Sequence, residues 1–197
     1  MGSTTWRKSE RCVPAVAGTN AFVYAQAIVM QPDCAKDEQM QLPESTAFRL
    51  RTQLDCLSTI LPGSLDEVLE RRPIPEKWCP REILAHLARY QNLFLSRIHR
   101  IKTESNPLLS RYRAEDDPEW KSWIRLDSSE IFQILRTQRA TLVQQVECMT
   151  TEDLARTATH PRFGEMTLLQ WIEFFLLHEA HHLLTVLQRS REPIDSD

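Results

Sequence analysis

Glycine is nearly missing: 4 in 197 residues. So little glycine leaves few of the positive-φ turns on which sheet proteins depend, and a Leu-rich, charge-rich chain then favours helices. No CxxC pair occurs. The five cysteines, Cys12, Cys34, Cys56, Cys79 and Cys148, are odd in number and widely spaced, which excludes a zinc ribbon and a thioredoxin-like redox motif. Free thiols in a reducing cytoplasm are the reading of this set. No run approaches the roughly 18 apolar residues of a membrane span, so no membrane partner is expected. An excess of one charge is missing as well. The formal net charge is −3, which gives no basic footprint for nucleic acid. There is no P-loop, no GxGxxG and no GxSxG elbow, so nucleotide cradling and Ser–His hydrolysis lack their residues.

What is present divides unevenly. Residues 1–42 show no helical period and are expected to form a poorly ordered extension. Arg7, Lys8 and Arg11 precede the segment Val13 to Met30, and Ala25-Gln26-Ala27 resembles a cleavage triplet, a faint signal-peptide pattern. Thr19, Asn20 and Gln26 interrupt it, and Met30 and Met40 are candidate internal starts. Residues 43–192 read as one helical domain, and 193–197 as a short tail.

Within that domain the apolar spacing predicts four long helices. The first carries Ala47, Leu50, Leu54, Leu57 and Leu61 and stops at Pro62-Gly63. A short helix from Leu65 to Glu70 precedes Pro73 and Pro75. The second long helix starts at Pro80, a residue suited to the first helical position. It sets Ile83, His86, Leu87, Tyr90, Phe94, Ile98 and Ile101 on its core face, with Arg81, Arg89, Asn92, Ser96 and Arg100 on a wet one. Residues 107–127 lack a period and read as a long loop with a short helical piece. Asp127 with Glu130 opens the third helix as a capping-box variant, and Ile131, Leu135, Leu142, Val146 and Met149 line one side. Thr150 to Ala155 reads as a capped turn and Thr157 to Gly164 as a loop. Thr167 with Gln170 opens a fourth helix running to about Arg191, apolar on most sides and so expected mid-bundle. The expected fold is all-α, an up-down four-helix bundle with a long loop between its second and third helices.

The last helix contains His178-Glu179-Ala180-His181-His182. Residues four apart share a helix face, so His178 and His182 can reach one ion, and both continue the stripe of Leu168, Trp171 and Phe175. His86 points inward in the same way. Three inward imidazoles would leave coordination positions open, as catalytic metal sites do. Spacing alone leaves another reading in place, in which these are core histidines satisfied by the protein. His181 competes with His182 for the pair, although helical phase prefers His182. The run is not read as the HExxH of the zincins. Glu179 is expected to point away from the site as a solvent or outlying carboxylate. His160 is expected to cap a helix rather than join the site, and Trp78 to pack in the core.

Two separated stretches resemble a known family. Lys77-Trp78-Cys79-Pro80-Arg81-Glu82-Ile83-Leu84-Ala85-His86-Leu87-Ala88 is similar to one signature of the DinB/YfiT-like superfamily. His160-Pro161-Arg162-Phe163-Gly164-Glu165-Met166-Thr167-Leu168 with His178-Glu179-Ala180-His181-His182-Leu183 is similar to another. The resemblance spans about residues 44–190 and is nearest to the YfiT-like branch. It implies a four-helix bundle whose metal ligands are His86, His178 and His182, a divalent metal such as zinc or nickel, and homodimers. It also implies either hydrolase chemistry or S-transfer from a low-molecular-weight thiol, such as bacillithiol or mycothiol, to a small-molecule substrate. A non-catalytic metal-binding or dimerising module is the competing expectation. Cys79 stands where the family has serine, and Gln91 where an acidic residue is common; both leave the ligands in place.

Overall fold

The chain is described by a computed structural model over residues 42–61 and 65–192. The proposed disordered extension (apart from Leu42), the Pro62-Gly63 stop and the 193–197 tail lie outside these residues. Among them run eight α-helices: α1 (Glu44–Thr52), α2 (Leu57–Ile60), α3 (Leu65–Leu69), α4 (Pro80–Thr103), α5 (Trp120–Trp123), α6 (Ser128–Glu147), α7 (Thr151–Ala155) and α8 (Leu168–Arg191). Two strands, β1 (Thr157–His160) and β2 (Gly164–Thr167), precede α8. The four arms of the bundle are α1 with α2, α4, α6 and α8. The α4 helix packs on both α6 and α8, and α1 touches α6 and α8.

The long helices start where local chemistry requires. Pro80 occupies the first turn of α4, and the Glu82 carboxylate accepts from the Cys79 N–H at 3.0 Å. Asp127 Oδ1 accepts from the Glu130 N–H at 2.8 Å, while Glu130 answers to the Asp127 N–H. Thr167 and Gln170 do the same for α8. Each reciprocal pair satisfies two amides that have no partner within the helix. A fixed start sets the rotational phase, and phase decides which residues enter the core. One apolar cluster gathers Phe94, Leu142, Trp171 and Phe175; the other gathers Leu69, Leu87, Ile131 and Val186. Burial of each such side chain contributes about 1.5–3 kcal/mol.

Four expectations change. The first helix is not continuous: a 3₁₀ turn over Gln53–Cys56 separates α1 from α2. The Thr52 hydroxyl donates to the Phe48 carbonyl at 2.8 Å, a back-bond that bends helices. The segment from Thr157 is not a loop but half of an antiparallel hairpin, with His160 opposite Gly164. Gly164 has φ +77, a conformation open to glycine at no steric cost. The chain at Pro107–Leu109 joins the edge of β1 through Thr159 N–H to Pro107 O and Leu109 N–H to Thr159 O, both 3.0 Å. Part of the face of α4 expected to be wet is covered, because connecting segments fold over Arg81 and Arg89, while Ser96 stays exposed. Arg81 donates to the Ile124 and Leu126 carbonyls and pairs with Glu70, and Arg89 pairs with Asp117. Finally, α8 is not enclosed on all sides, since Leu177 and Leu184 stand exposed.

Candidate metal centre

His86 lies in the second turn of α4 and is buried; His178 and His182 lie one turn apart on α8 and are partly buried. Their Nε2 atoms converge. His86 Nε2 is 3.4 Å from His178 Nε2, and His182 Nε2 is 3.2 Å from His178 Nε2. The three residues offer donor atoms that all lie within 4.8 Å of one another. Two nitrogens bound tetrahedrally at the usual zinc distance stand about 3.3 Å apart, so the spacing fits a small divalent cation. The inner faces compete for no other partner, and the outer Nδ1 atoms of His86 and His178 are buried without one. Burial, and then the neighbouring imidazoles, push all three pKa values down from 6.5: to about 3 for His86, about 2 for His178 and about 4 for His182. At neutral pH all three are free bases, the form that binds metal. His181 is exposed, stands with its ring 5.3 Å from that of His182 and lies outside the cluster.

Aromatic rings enclose the triad. Trp78 lies 5.2 Å from the His86 ring, Tyr112 stacks on His86 at 5.6 Å, and Tyr90 sits 4.0 Å from His178. Trp78 is thus a wall of the site as well as a packing residue against Trp120. The Tyr112 hydroxyl donates to Asp117 at 3.1 Å. Burial and that carboxylate raise its pKa, which keeps the phenol neutral. A cavity of about 570 Å³ opens onto the triad and reaches His160, Phe163 and Phe174. His160 caps no helix: its Nδ1 accepts from the Arg162 and Phe163 amides at 3.1 and 3.2 Å and so shapes the hairpin turn. A groove of similar size, about 590 Å³, lies between α2 and α6 around Leu57, Leu61 and Phe132; the histidine triad lies outside it.

By spacing, His178-Glu179-Ala180-His181-His182 does satisfy HExxH, contrary to the reading from sequence. The geometry nonetheless departs from that motif's chemistry, in which the glutamate serves as base. Glu179 turns to the opposite side of α8, fully buried. It is not a solvent carboxylate either. It pairs with Arg139 and accepts from Gln53 Nε2 at 2.8 Å. The Cys79 thiol is buried, and burial raises its pKa, which disfavours the thiolate.

Several lining residues escaped the sequence reading, Arg97, Arg111, Tyr112, Arg113 and Glu115 among them. Arg97 had a signal, since it follows His86 and Tyr90 by eleven and seven residues on the same α4 stripe. Tyr112 and Arg111 lie in the aperiodic 107–127 segment, where no pattern marks them.

Residues 49–186 match the family described as the DinB superfamily. The chain belongs to the DinB superfamily. It is 29% identical over 135 residues to the uncharacterized protein YuaE of Bacillus subtilis (strain 168), covering 62% of this chain and 83% of that one. Among solved structures it is similar to YfiT from Bacillus subtilis, described as a probable metal-dependent hydrolase with an unusual four-helix bundle topology. The TM-score is 0.62 at 20% identity, covering 75% of this chain and 85% of that one. This likeness shows the fold. Among the described residues no helix is long and apolar enough to cross a membrane.

Proposed function

We propose that this DinB-superfamily protein is a divalent-metal-dependent enzyme. His86, His178 and His182 hold the ion, zinc or nickel, and the nucleophile is a water or a low-molecular-weight thiol. The observation that carries the reading is the convergence of three neutral Nε2 atoms, at the spacing of a metal's ligand sphere, on an open cavity. A divalent metal bound there supplies Lewis acidity, which lowers the pKa of a water or thiol beside it toward neutrality. Imidazole donors suit zinc and nickel, and a thiolate is a soft partner for zinc.

The protein's own groups do the rest. Trp78, Tyr90 and Tyr112 hold the imidazole planes by ring contact and leave the inner nitrogens directed at one point. The Tyr90 hydroxyl accepts from Arg97 Nη1 at 3.0 Å, which ties the ring against His178. A cavity of about 570 Å³ falls within the range that small-molecule sites occupy, and this favours an enzyme over a module without turnover, whose side chains would fill that space.

Elemental analysis of protein prepared without a metal-binding tag tests the reading, beside the His178→Ala/His182→Ala variant. About one zinc or nickel per chain, lost in the variant, is expected. Metal-loaded protein should then accelerate ester hydrolysis or thiol transfer in a substrate screen. Absence of metal after reconstitution would sink the proposal.

A further inference from the structure

The cavity over the histidines is also lined by Arg97, Arg111 and Arg162. Arg97 is the unusual one. It retains 6% exposure, as little as Arg139, yet the two are treated differently. Arg139 has Glu179 as its counter-ion. Arg97 has none among the described residues: its guanidinium donates to the Tyr90 hydroxyl at 3.0 Å and to the Ser110 carbonyl at 2.6 Å, and lies 5.5 and 5.7 Å from the Tyr90 and Trp171 rings. These are neutral partners. A charge withdrawn from water is costly unless an opposite charge offsets it, and Arg97 lines the cavity.

The rim repeats the pattern. Arg111 and Arg162 are exposed, and neither forms an ion pair with a described carboxylate; Arg162 lies over the Phe163 ring at 5.6 Å. Arg113 also lines the cavity but pairs with Asp116 at 3.5 Å. Glu115, exposed, is the one acidic lining residue. Burial, and then Arg97, Arg111 and Arg162 together, lower the pKa of His160, so the three guanidiniums act on one region of space.

We infer that the cavity takes a small organic anion, whose carboxylate or phosphate group is the counter-ion that Arg97, Arg111 and Arg162 lack among the described residues. The planar fork of arginine matches both groups through paired N–H donors. Placement of the anion's other end at the histidine triad rests on the metal-enzyme reading. Binding of the anionic group does not.

Isothermal titration of malonate, inorganic phosphate and neutral malonamide into metal-free and zinc-loaded protein, at fixed ionic strength, tests the inference. Malonate or phosphate should bind metal-free protein at least tenfold more tightly than malonamide; the tighter of the two anions identifies the group. The Arg111→Ala/Arg162→Ala variant, whose lost side chains are exposed and unpaired, should unfold at the same temperature and bind the preferred anion at least tenfold more weakly. Arg97→Met should lose the anion while the metal-free protein keeps or gains thermal stability, because an uncompensated buried charge is gone. Equal binding of the three probes, or anion binding untouched in the double variant, overturns the inference. Zinc binding without anion selectivity leaves the metal reading standing alone, and anion selectivity without zinc binding does the reverse.

Discussion

Two buried polar clusters sit back to back on the same pair of helices, and they are built to opposite rules. Gln91 on α4 and Glu179 on α8 face α6, where Arg139 enters between them. Arg139 donates through Nε to Gln91 Oε1 at 2.8 Å, through Nη1 to the Leu50 carbonyl at 3.0 Å, and through Nη2 to Glu179. Gln91 Nε2 donates to the Leu135 carbonyl at 3.1 Å, and Gln53 Nε2 donates to both Glu179 and the Leu176 carbonyl. This cluster is closed. One residue away on each helix, Tyr90 and His178 face the other side. There, among the described residues, the Nδ1 atoms of His86 and His178 lack partners, the Nε2 atoms meet only one another, and Arg97 lacks a counter-ion. Buried polar groups are normally satisfied. A closed cluster therefore reads as architecture, and an open one reads as a place for something that is not protein.

The closed cluster depends most on Arg139. Arg139→Met strands the Glu179 carboxylate in the core and should cost about 3–5 kcal/mol, measured by urea unfolding, because half of a buried pair is worse than none. Arg139→Met/Glu179→Leu should recover much of that loss, and metal content per folded chain should stay unchanged in both.

The open cluster should respond the other way. His86→Leu should leave the metal-free protein as stable as before, or more so, since it removes an unsatisfied polar group. It should abolish the stabilisation that metal confers, about 2.7 kcal/mol at a metal concentration a hundredfold above Kd, read as the change in unfolding midpoint on adding zinc.

A pH series sharpens the contrast. The three histidines bind protons more weakly folded than unfolded, so the unfolded chain takes up protons first as the pH falls. Metal-free stability should be complete above about pH 6.5 and decline below it, by up to about 1.4 kcal/mol per pH unit for each histidine. The decline continues until the folded-state values of about 4, 3 and 2 are reached. His86→Leu/His178→Leu/His182→Leu should flatten this dependence; an equally steep loss in that variant would assign it to the carboxylates instead. The smallest effect is expected at Thr167, whose side chain caps α8. Thr167→Ala should cost about 1 kcal/mol and, because both clusters share α8, should leave metal binding and the Arg139 network intact in the folded fraction.

Much of this molecule can be read from spacing. Apolar residues at intervals of three and four mark all the long helices, and their start signals at Pro80, Asp127 and Thr167 lie where α4, α6 and α8 begin. The same periodicity brings His86, His178 and His182 onto inward faces. Arg139 interrupts the Leu135–Leu142 stripe at a core phase, and Arg97 continues the His86–Tyr90 stripe, so both carried a signal that charge obscured. The β1–β2 hairpin left a weaker one, since four-residue strands are too short for alternation to stand out.

The helices and the phase of their buried faces are local, because helical periodicity is a property that each segment carries alone. Tertiary structure decided what the buried polar residues do. Glu179 adjoins His178 and fits a catalytic spacing, yet it serves the core, because α6 brings Arg139 to its side of α8. Arg97 and Arg139 are equally buried, yet among the described residues only Arg139 meets a carboxylate. Whether a charge is paired depends on which helix arrives opposite it, and no one-dimensional pattern encodes that.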